Sequence, residues 1–247
     1  NWCYYDRDQS RGWRHSALGQ IDTENVSSLR PAWIFQPGEV RQGLHGTPIV
    51  IDGDMYFSTN PSTVWKLDAG TGEREWVYIP EMDPAVISRS FFSHTRGLTV
   101  GEGRVYMGRA DGHIVALDER TGEVLWDVQI VDSTKETAGF SGAGILVSAD
   151  LFVLPQNGGE YPIEGKIFGI DPSNGSIKWT FHTTGRDDPH ALATWGGDSW
   201  KYGGGGAWQP GTVDYANNQI IMGTGNPNPD YDYCGSDCRD PNADAHR

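Results

Sequence analysis

Leu67-Asp68-Ala69-Gly70-Thr71-Gly72, followed by Trp76, is the first of three copies of the pattern Asp-x-x-Thr/Asn-Gly-x-x-x-Trp. The other copies begin at Asp118 and Asp171 and end at Trp126 and Trp179. A short apolar stretch precedes each aspartate. An Asp side chain can accept hydrogen bonds from backbone N–H groups two residues on, and Gly takes the positive φ that closes a hairpin. The pattern therefore predicts a tight turn between two strands.

The copies recur at a period of about fifty residues, which is typical of repeat architectures. One small sheet cannot bury its own faces, so each terminal Trp is predicted to be buried against the next sheet. The predicted fold class is all-β, a β-propeller of four-stranded blades. A complete propeller of four blades is the alternative to a part of a larger ring.

The composition fits many short strands joined by turns, with 37% hydrophobic residues, 33 Gly, 14 Pro and 10 Trp. A formal net charge of −14 argues against a nucleic-acid or anionic-membrane surface. No apolar stretch approaches the roughly 20 residues that cross a bilayer. Residue 1 does not begin a secretory signal, so we expect the sequence to start after any leader.

We interpret residues 1–247 as one partial β-propeller domain. An opening segment, residues 1–36, contains a helical turn after Asp22 and a strand at residues 32–35, and blades follow from about residue 37. Inner strands that line a central channel are predicted near residues 47–50, 98–100, 143–147 and 212–215. The fourth inner hairpin has no Asp-x-x-Thr-Gly-x-x-x-Trp partner, so we expect the sequence to end within a blade.

Three cysteines are present. Cys234 and Cys238 are close in sequence within a loop rich in Gly, Asp and Pro, and we predict a local disulfide between them. Cys3 is left without a partner by this pairing.

Inner-strand ends face the mouth of a propeller, and unusual residues stand at four of them: residues 45–47, 93–97, 157–160 and 223–226. Glu160 and Asn226 follow equivalent inner hairpins and carry the hard oxygen atoms that Ca²⁺ prefers. Arg96 offers a planar fork for a carboxylate, and the glycine run before Trp208 lets a flat ligand approach the indole. The set predicts a site for a flat, anionic, metal-bound ligand.

Each of these residues also has an ordinary interpretation. A Glu at a strand end can be a solvated carboxylate, an Asn after Gly a turn residue, and a Trp in a glycine-rich loop a packing residue. His45 and His94 are interpreted as loop histidines, because two imidazoles without a third partner do not form a metal site.

The repeats, together with residues 1–2, 47–53, 158–161 and 223–226, resemble the quinoprotein alcohol dehydrogenases. This is the methanol and ethanol dehydrogenase family that uses pyrroloquinoline quinone (PQQ). The resemblance implies an eight-bladed propeller of which this chain is the N-terminal half.

The resemblance also implies roles for individual residues. Glu160 and Asn226 match the family's metal ligands, with Ca²⁺ or a lanthanide as the metal. Trp208 matches the Trp that stacks on the quinone. The remaining quinone-binding positions fall on Arg96, Ser141, Gly158 and Gly159.

The sequence departs from the family at three places. Residues 90–92 replace a vicinal Cys-Cys pair that covers the quinone, so an aromatic side chain is expected to cover it instead. His45 replaces a quinone-contacting Glu, and Gly206 replaces a Thr. The catalytic Asp of the family is expected beyond Arg247, so no catalytic residue is assigned to this chain.

The implied reaction is oxidation of a small alcohol, in which an Asp takes the hydroxyl proton and hydride passes to the metal-bound quinone. The implied partners are an electron acceptor such as a cytochrome c and the remaining half of the propeller, and the implied location is the periplasm. A cofactor-free propeller that binds protein partners is the alternative from another class. A third possibility is a dehydrogenase that binds quinone without turnover.

Overall fold

The computed structural model describes residues 1–10, 14–38, 43–89, 94–159 and 161–228. Three four-stranded antiparallel sheets follow one another, each with its strands in sequence order. Sheet 1 contains β1 (Ile49–Ile51), β2 (Asp54–Thr59), β3 (Thr63–Asp68) and β4 (Arg74–Tyr78). Sheet 2 contains β5 (Thr99–Gly101), β6 (Arg104–Gly108), β7 (His113–Asp118) and β8 (Val124–Gln129). Sheet 3 contains β9 (Ile145–Ser148), β10 (Leu151–Pro155), β11 (Lys166–Ile170) and β12 (Ile177–His182).

In the described residues a fourth sheet has two strands, β13 (Thr212–Asp214) and β14 (Gln219–Ile221). Helical segments are short: α1 (Pro84–Arg89), α2 (Pro189–Leu192) and 3-10 turns at Val26–Ser28 and Ser199–Tyr202. The prediction of an all-β protein built from four-stranded blades is confirmed. The number of blades in a closed ring stays a prediction.

The repeated aspartates shape the turns as the sequence predicts. Oδ1 of Asp68 accepts hydrogen bonds from the backbone N–H groups of Gly70 (2.9 Å) and Thr71 (2.7 Å). The turn closes at Gly72 with φ +74°. A residue with a Cβ is strained at this angle, so the glycine is a requirement of the turn.

The tryptophans at the repeat ends join one sheet to the next. Nε1 of Trp76 donates to the carbonyl of Glu119 in sheet 2 (3.2 Å). Nε1 of Trp126 donates to the carbonyl of Pro172 in sheet 3 (3.0 Å). A methyl group at Gly122 would lie 2.7 Å from Cδ2 of Trp76, so the turn glycine also makes room for the ring.

Trp33 makes the same contact with sheet 1, although it belongs to no complete repeat. Its Nε1 donates to the carbonyl of Ala69 (3.1 Å), and a methyl group at Gly72 would lie 2.5 Å from its ring. The strand predicted at residues 32–35 is wrong, because a strand needs a neighbouring ladder and no described residue supplies one there. The side chain docks without it.

Trp179 corrects the prediction that all three repeat tryptophans are buried between blades. Trp76 is 9% exposed, whereas Trp179 is 37% exposed. Sheet 4 contains no Asp-x-x-Thr-Gly turn within the described residues, so the indole has no equivalent acceptor there. It lies over β11 of its own sheet, where a methyl group at Gly169 would be 2.1 Å from Cε2.

The hydrophobic core lies between the sheets rather than within them. One buried cluster joins sheets 1 and 2 through residues such as Tyr56, Val64 and Leu98. A second joins sheets 2 and 3 through Tyr106 and Phe152, whose rings stack with centroids 4.9 Å apart. Central strands such as β3 and β7 are buried at nearly every position, and because successive side chains point to opposite faces, both faces of each sheet contribute to the core.

Residues 1–10, the N-terminal strap, run along the inner strands. The strap pairs with β1 through Trp2 N–H and Val50 O (2.7 Å), and Gln9 O accepts from Val213 N–H in β13 (2.8 Å). Between these ends the Tyr4 hydroxyl donates to Gly211 O (3.1 Å). Each inner strand is the edge of its sheet and has free backbone groups, so the strap covers edges that would otherwise be exposed. The predicted inner strands are confirmed as strands, and the channel they line stays a prediction.

The chain segments just before the inner strands are linked around the ring. Thr47 N–H donates to Arg96 O (3.4 Å), and Arg96 N–H donates to Ser141 O (2.6 Å). A methyl group at Gly142 would lie 3.0 Å from Trp208 O. The chain that enters each inner strand therefore neighbours the chain that enters the next one, from sheet 1 to sheet 4.

Cys3 is exposed and free, whereas the predicted Cys234–Cys238 disulfide lies outside the described residues. Among the described residues, no helix has the length and apolar character needed to cross a bilayer.

Candidate functional site

A pocket of about 180 Å³ opens at the linked ends of the inner strands. Five residues singled out from the sequence line it together: Arg96, Ser141, Gly158, Gly159 and Trp208. The remaining lining residues are Thr137, Ala138, Gly139, Asn157 and Tyr161. None of these ten side chains is a carboxylate, so the lining that the structure describes carries one positive charge and no negative one.

Arg96 connects three parts of the pocket wall. Its guanidinium carbon lies 4.5 Å from the ring centroid of Trp208, which is a cation–π distance. Its Nη1 donates to the hydroxyl oxygen of Ser141 (2.9 Å). A planar fork held beside an indole and a hydroxyl is suited to the carboxylate of a flat ligand.

The glycine run at residues 203–206 forms a backbone ladder between two loops. On one side Gly204 N–H donates to Ile163 O and Gly165 N–H to Gly204 O, both at 2.8 Å. On the other side Gly205 N–H donates to Asn226 O (3.0 Å). The space that side chains would fill is taken by neighbouring chain, since a methyl group at Gly206 would be 3.1 Å from Gly159 N. The run thus joins three protein segments, a role that the sequence did not predict.

Trp208 follows this ladder, and the edge of its indole ring packs against Gly225. A methyl group at Gly225 would lie 3.2 Å from Cδ1 and 3.3 Å from Nε1 of the indole, so the glycine allows a close approach of the ring. Gly225 N–H donates to Gly206 O (2.9 Å), which fixes the approach. The ring is 37% exposed and turns one face toward Arg96.

The backbone of the predicted metal ligand Asn226 approaches Gly159, the residue before the second predicted ligand. Glu160 lies outside the described residues, but a methyl group on the adjacent Gly159 would be 3.7 Å from Asn226 O. The side chain of Asn226 is exposed, and its Nδ2 donates to Pro227 O (3.3 Å). Within the described ranges no three His, Cys, Asp or Glu residues are grouped to hold a metal ion. The assignment of Glu160 and Asn226 stays a prediction.

The backbone conformation and the surroundings of residue 158 both require a glycine. Its φ is +109°, and a methyl group there would lie 2.8 Å from Thr137 O. A side chain at this position would therefore push the loop that carries Glu160 away from the pocket wall.

His45 and His94 stack on each other beside the pocket, with ring centroids 4.4 Å apart and planes 20° from parallel. His94 is 3% exposed. Burial lowers the pKa of His94 from 6.5 to about 4, and the charges of Arg96 and His45 act in the same direction. His94 is thus neutral at pH 7. His45 does not line the pocket in the described chain, and residues 90–92, predicted to cover the quinone, lie outside it.

Asn157 holds the pocket wall in a way the sequence did not reveal. Its side-chain oxygen accepts from Gly139 N–H, and its own N–H donates to Gly139 O, both at 3.0 Å. The position was visible in the sequence as part of a mouth segment, but residues 137–139 have no motif that points to a site.

The pocket fits a flat anionic ligand in its chemistry. It offers an aromatic face, a guanidinium, a hydroxyl and glycine backbone. Its volume is below the roughly 300–1,000 Å³ typical of pockets that enclose a whole organic ligand. Part of the reason is that the Arg96 guanidinium rests on the indole face, so a stacked ligand requires Arg96 to move to the rim.

Comparison with known proteins gives one family for nearly the whole chain. The family model described as glucose/ethanol/alcohol dehydrogenase, beta-propeller domain (PQQ) matches residues 2–246. The quinoprotein alcohol dehydrogenase PedH of Pseudomonas putida is 34% identical over 236 residues, which cover 89% of this chain and 39% of PedH. The lanthanide-dependent methanol dehydrogenase of Methylacidiphilum fumariolicum is 33% identical, with 87% of this chain and 38% of that protein covered.

Solved structures show the same relationship. A europium-containing methanol dehydrogenase superposes with a TM-score of 0.85 at 30% identity, over 92% of this chain and 42% of that one. The quinohemoprotein alcohol dehydrogenase of Comamonas testosteroni also gives a TM-score of 0.85, at 31% identity, over 92% of this chain and 36% of that one. The chain thus spans about two-fifths of the length of these relatives.

Proposed function

This chain belongs to the PQQ family of glucose, ethanol and alcohol dehydrogenase β-propeller domains, and we propose that it binds pyrroloquinoline quinone and a cation as part of an alcohol dehydrogenase. The observation that carries the proposal is the grouping of Arg96, Ser141 and Trp208 in one pocket beside Gly158 and Gly159. A protein-binding scaffold has no need to aim a guanidinium and an indole into the same cavity.

In this proposal Trp208 stacks on the ring system of the quinone, and Arg96 binds one of its carboxylates. The Ser141 hydroxyl, which now accepts from Arg96 at 2.9 Å, supplies a further hydrogen bond to the ligand. Gly158 and Gly159 keep the wall opposite Ser141 free of side chains.

Glu160 and Asn226 are proposed to hold the cation. Two side chains are too few for Ca²⁺, which takes six to eight oxygen ligands, so the cation is expected to bind tightly only together with the quinone. Ca²⁺ and a lanthanide both suit such ligands, and the names of two relatives specify a lanthanide.

When bound, the quinone and its cation supply a hydride acceptor and a Lewis acid for alcohol oxidation. The chain's residues bind and orient the cofactor. From the resemblance to the family, we propose that the proton-abstracting Asp lies beyond Arg247, in the remaining part of an eight-bladed propeller. This chain alone is then expected to show no alcohol oxidation with an artificial electron acceptor.

The wider setting follows from the relatives. Two of them are named quinohemoproteins, and we propose that electrons leave the cofactor to a haem protein of the cytochrome c class. We also propose a small alcohol as the substrate and the periplasm as the location.

The test is titration with PQQ in buffers that contain Ca²⁺ or La³⁺, followed by quenching of tryptophan fluorescence. Arg96→Gln is expected to weaken binding about 10- to 100-fold, because a hydrogen bond to a charged group contributes about 1.5–3 kcal/mol. Trp208→Ala is expected to weaken it about 2- to 10-fold through lost stacking.

Trp179→Ala is the matched control for Trp208, since both indoles are 37% exposed and Trp179 lies away from the pocket. It should leave the affinity for PQQ unchanged. No saturable binding to the wild-type protein would overturn the proposal and favour the scaffold function.

The cation is tested separately with Tb³⁺, whose luminescence is sensitised by nearby tryptophans. We expect Glu160→Gln and Asn226→Ala to abolish the signal that depends on PQQ, whereas Asn217→Ala in the turn between β13 and β14 retains it. A full signal from both site variants would refute the assignment of the metal ligands.

A further inference from the structure

Glu164 is a buried carboxylate that the proposed cofactor site does not use. Its side chain is 9% exposed, and it lies five positions after Gly159 in the sequence. Oε1 accepts from the Thr184 hydroxyl (3.2 Å), and Oε2 accepts from Arg186 Nη1 (3.1 Å). His182 Nδ1 lies 3.0 Å from Oε2 but makes no hydrogen bond within the described part of the chain. The carboxylate therefore joins the loop before β11 to the chain that leaves β12.

The backbone of the same residue touches the glycine ladder. Glu164 forms a parallel bridge with Gly204, flanked by the hydrogen bonds of Ile163 and Gly165. Packing there leaves no spare room: a methyl group at Gly165 would lie 2.3 Å from the Thr183 hydroxyl oxygen. The side chain of Glu164 thus ties the loop before β11 to residues 184 and 186, while its backbone ties the same loop to Gly204 in the glycine ladder.

Arg186 extends this connection to the start of the ladder. Its guanidinium carbon is 5.5 Å from the ring centroid of Trp200, which lies in the turn just before Gly203. Trp195 donates to Thr184 O (3.0 Å), and a methyl group at Gly203 would be 2.5 Å from its ring. The loop between β12 and the glycine run is therefore anchored on the Glu164 carboxylate at one end and leads directly to Trp208 at the other.

We propose that Glu164 is a positioning residue for the cofactor site: it holds the glycine ladder against the loop of Gly158 and Gly159 and thereby sets the place of Trp208 and Asn226. The inference rests on the proposed binding of quinone and cation. Residues that orient the direct ligands of a site, without touching its occupant, often change affinity about 10- to 100-fold when they are replaced.

The test compares Glu164→Leu, which removes both acceptors, with Glu164→Gln, which keeps one amide oxygen. PQQ is titrated in the presence of Ca²⁺ by fluorescence quenching. We expect about a tenfold loss of affinity for Leu, at the lower end of the range for such residues, and a smaller loss for Gln. Partial rescue by Gln distinguishes a role in positioning from a requirement for bulk.

Lys66→Met is the control for general destabilisation. Lys66 is a buried cation in sheet 1, paired with Asp54 (2.8 Å) and Glu75 (2.9 Å), and it lies outside the pocket lining. It should lower the melting temperature without changing the affinity for PQQ. Wild-type affinity in Glu164→Leu, or an equal loss in Lys66→Met, would overturn the proposal.

Two further measurements keep the proposal testable. If Glu164→Leu does not fold, Arg186→Gln takes its place, because the Arg186 side chain is 42% exposed and tolerates replacement. Wild-type affinity in that variant counts against the positioning role. Hydrogen exchange at the amides of Gly165 and Gly204 needs no cofactor: we expect faster exchange in Glu164→Gln than in Lys66→Met, and equal rates would overturn the inference. Failure of the wild-type protein to bind PQQ refutes the proposed function but not this local result.

Discussion

Trp76 and Trp179 end the same repeat in sheets 1 and 3, yet their surroundings differ. Trp76 is 9% exposed and donates to Glu119 O in the following sheet, while Trp179 is 37% exposed and lies over Gly169 of its own sheet. In sheet 3 the residue opposite Trp179 in the ladder is Gly169, which leaves room for the indole over its own sheet. In sheet 1 the residue opposite Trp76 is Lys66, whose side chain leaves no such room. Burial of the indole therefore depends on the acceptor turn of the next sheet and not on the repeat that carries the Trp.

The largest expected effect is at the contact between sheets 1 and 2, where the Trp76 indole is buried. Trp76→Ala removes a buried indole and its hydrogen bond, and we expect a loss of about 3–5 kcal/mol in the free energy of unfolding. Urea unfolding followed by circular dichroism measures it. A loss below about 1 kcal/mol, typical of an exposed site, would show that the junction does not stabilise the protein.

The turn of sheet 2 that receives the Trp76 ring is tested by substitution of two glycines that have similar backbone conformations. Gly122 (φ +74°) lies under the Trp76 ring, whereas a methyl group at Gly103 (φ +71°) meets nothing within 4 Å. Alanine at either position has the cost of a positive φ, about 1–2 kcal/mol. Gly122→Ala should lose about 1–3 kcal/mol more through overpacking. Equal losses in urea unfolding would contradict the close contact.

Trp179→Ala is expected to cost only about 1–2 kcal/mol, because much of the ring is already in contact with water. The measurement is again urea unfolding. A loss as large as that of Trp76→Ala would mean that Trp179 is docked in solution, and the comparison between the two junctions would then fail.

The smallest expected effect is on the stability of the protein at acidic pH. The pKa of Asp118 lies below its usual value of 3.8 because its carboxylate accepts from the N–H and hydroxyl of Thr121 and the N–H of Arg120. The folded state therefore favours the ionised form, and this contribution is present above about pH 4 and is lost as the pH falls through the lowered pKa. Asp118→Asn should reduce the difference in unfolding free energy between pH 7 and pH 3. The exposed Asp187→Asn is the control, and equal changes in both variants would contradict a role of the turn.

The repeat could be predicted because its determinants are local. Asp68 and Gly72 shape one turn within five residues, so the sequence contains the whole interaction. The docking of Trp33 and the exposure of Trp179 depend on sheets far along the chain. Those outcomes were not visible in the pattern.

The candidate site was also predictable from the sequence only in part. Arg96 and Trp208 were predicted to share a site because their chemistry suits a flat anionic ligand, and the resemblance to the family added Ser141. The structure brings the three together. The glycine run was interpreted as an approach for a ligand, whereas it joins protein loops. Glu164 was not identified at all, since its partners Thr184 and Arg186 follow β12 and share no motif with it.

The N-terminal strap has a consequence for the order of folding. The Tyr4 hydroxyl reaches Gly211 O, 207 positions later in the chain. At a synthesis rate of 5–20 residues per second, the strap leaves the ribosome about 10–40 s before its last partner does. Each sheet can form from neighbouring strands in the meantime, whereas contacts of such high sequence separation slow folding. The strap is therefore expected to dock only after the sheets have formed, and until then the inner edges of those sheets are open to chaperones and to wrong partners.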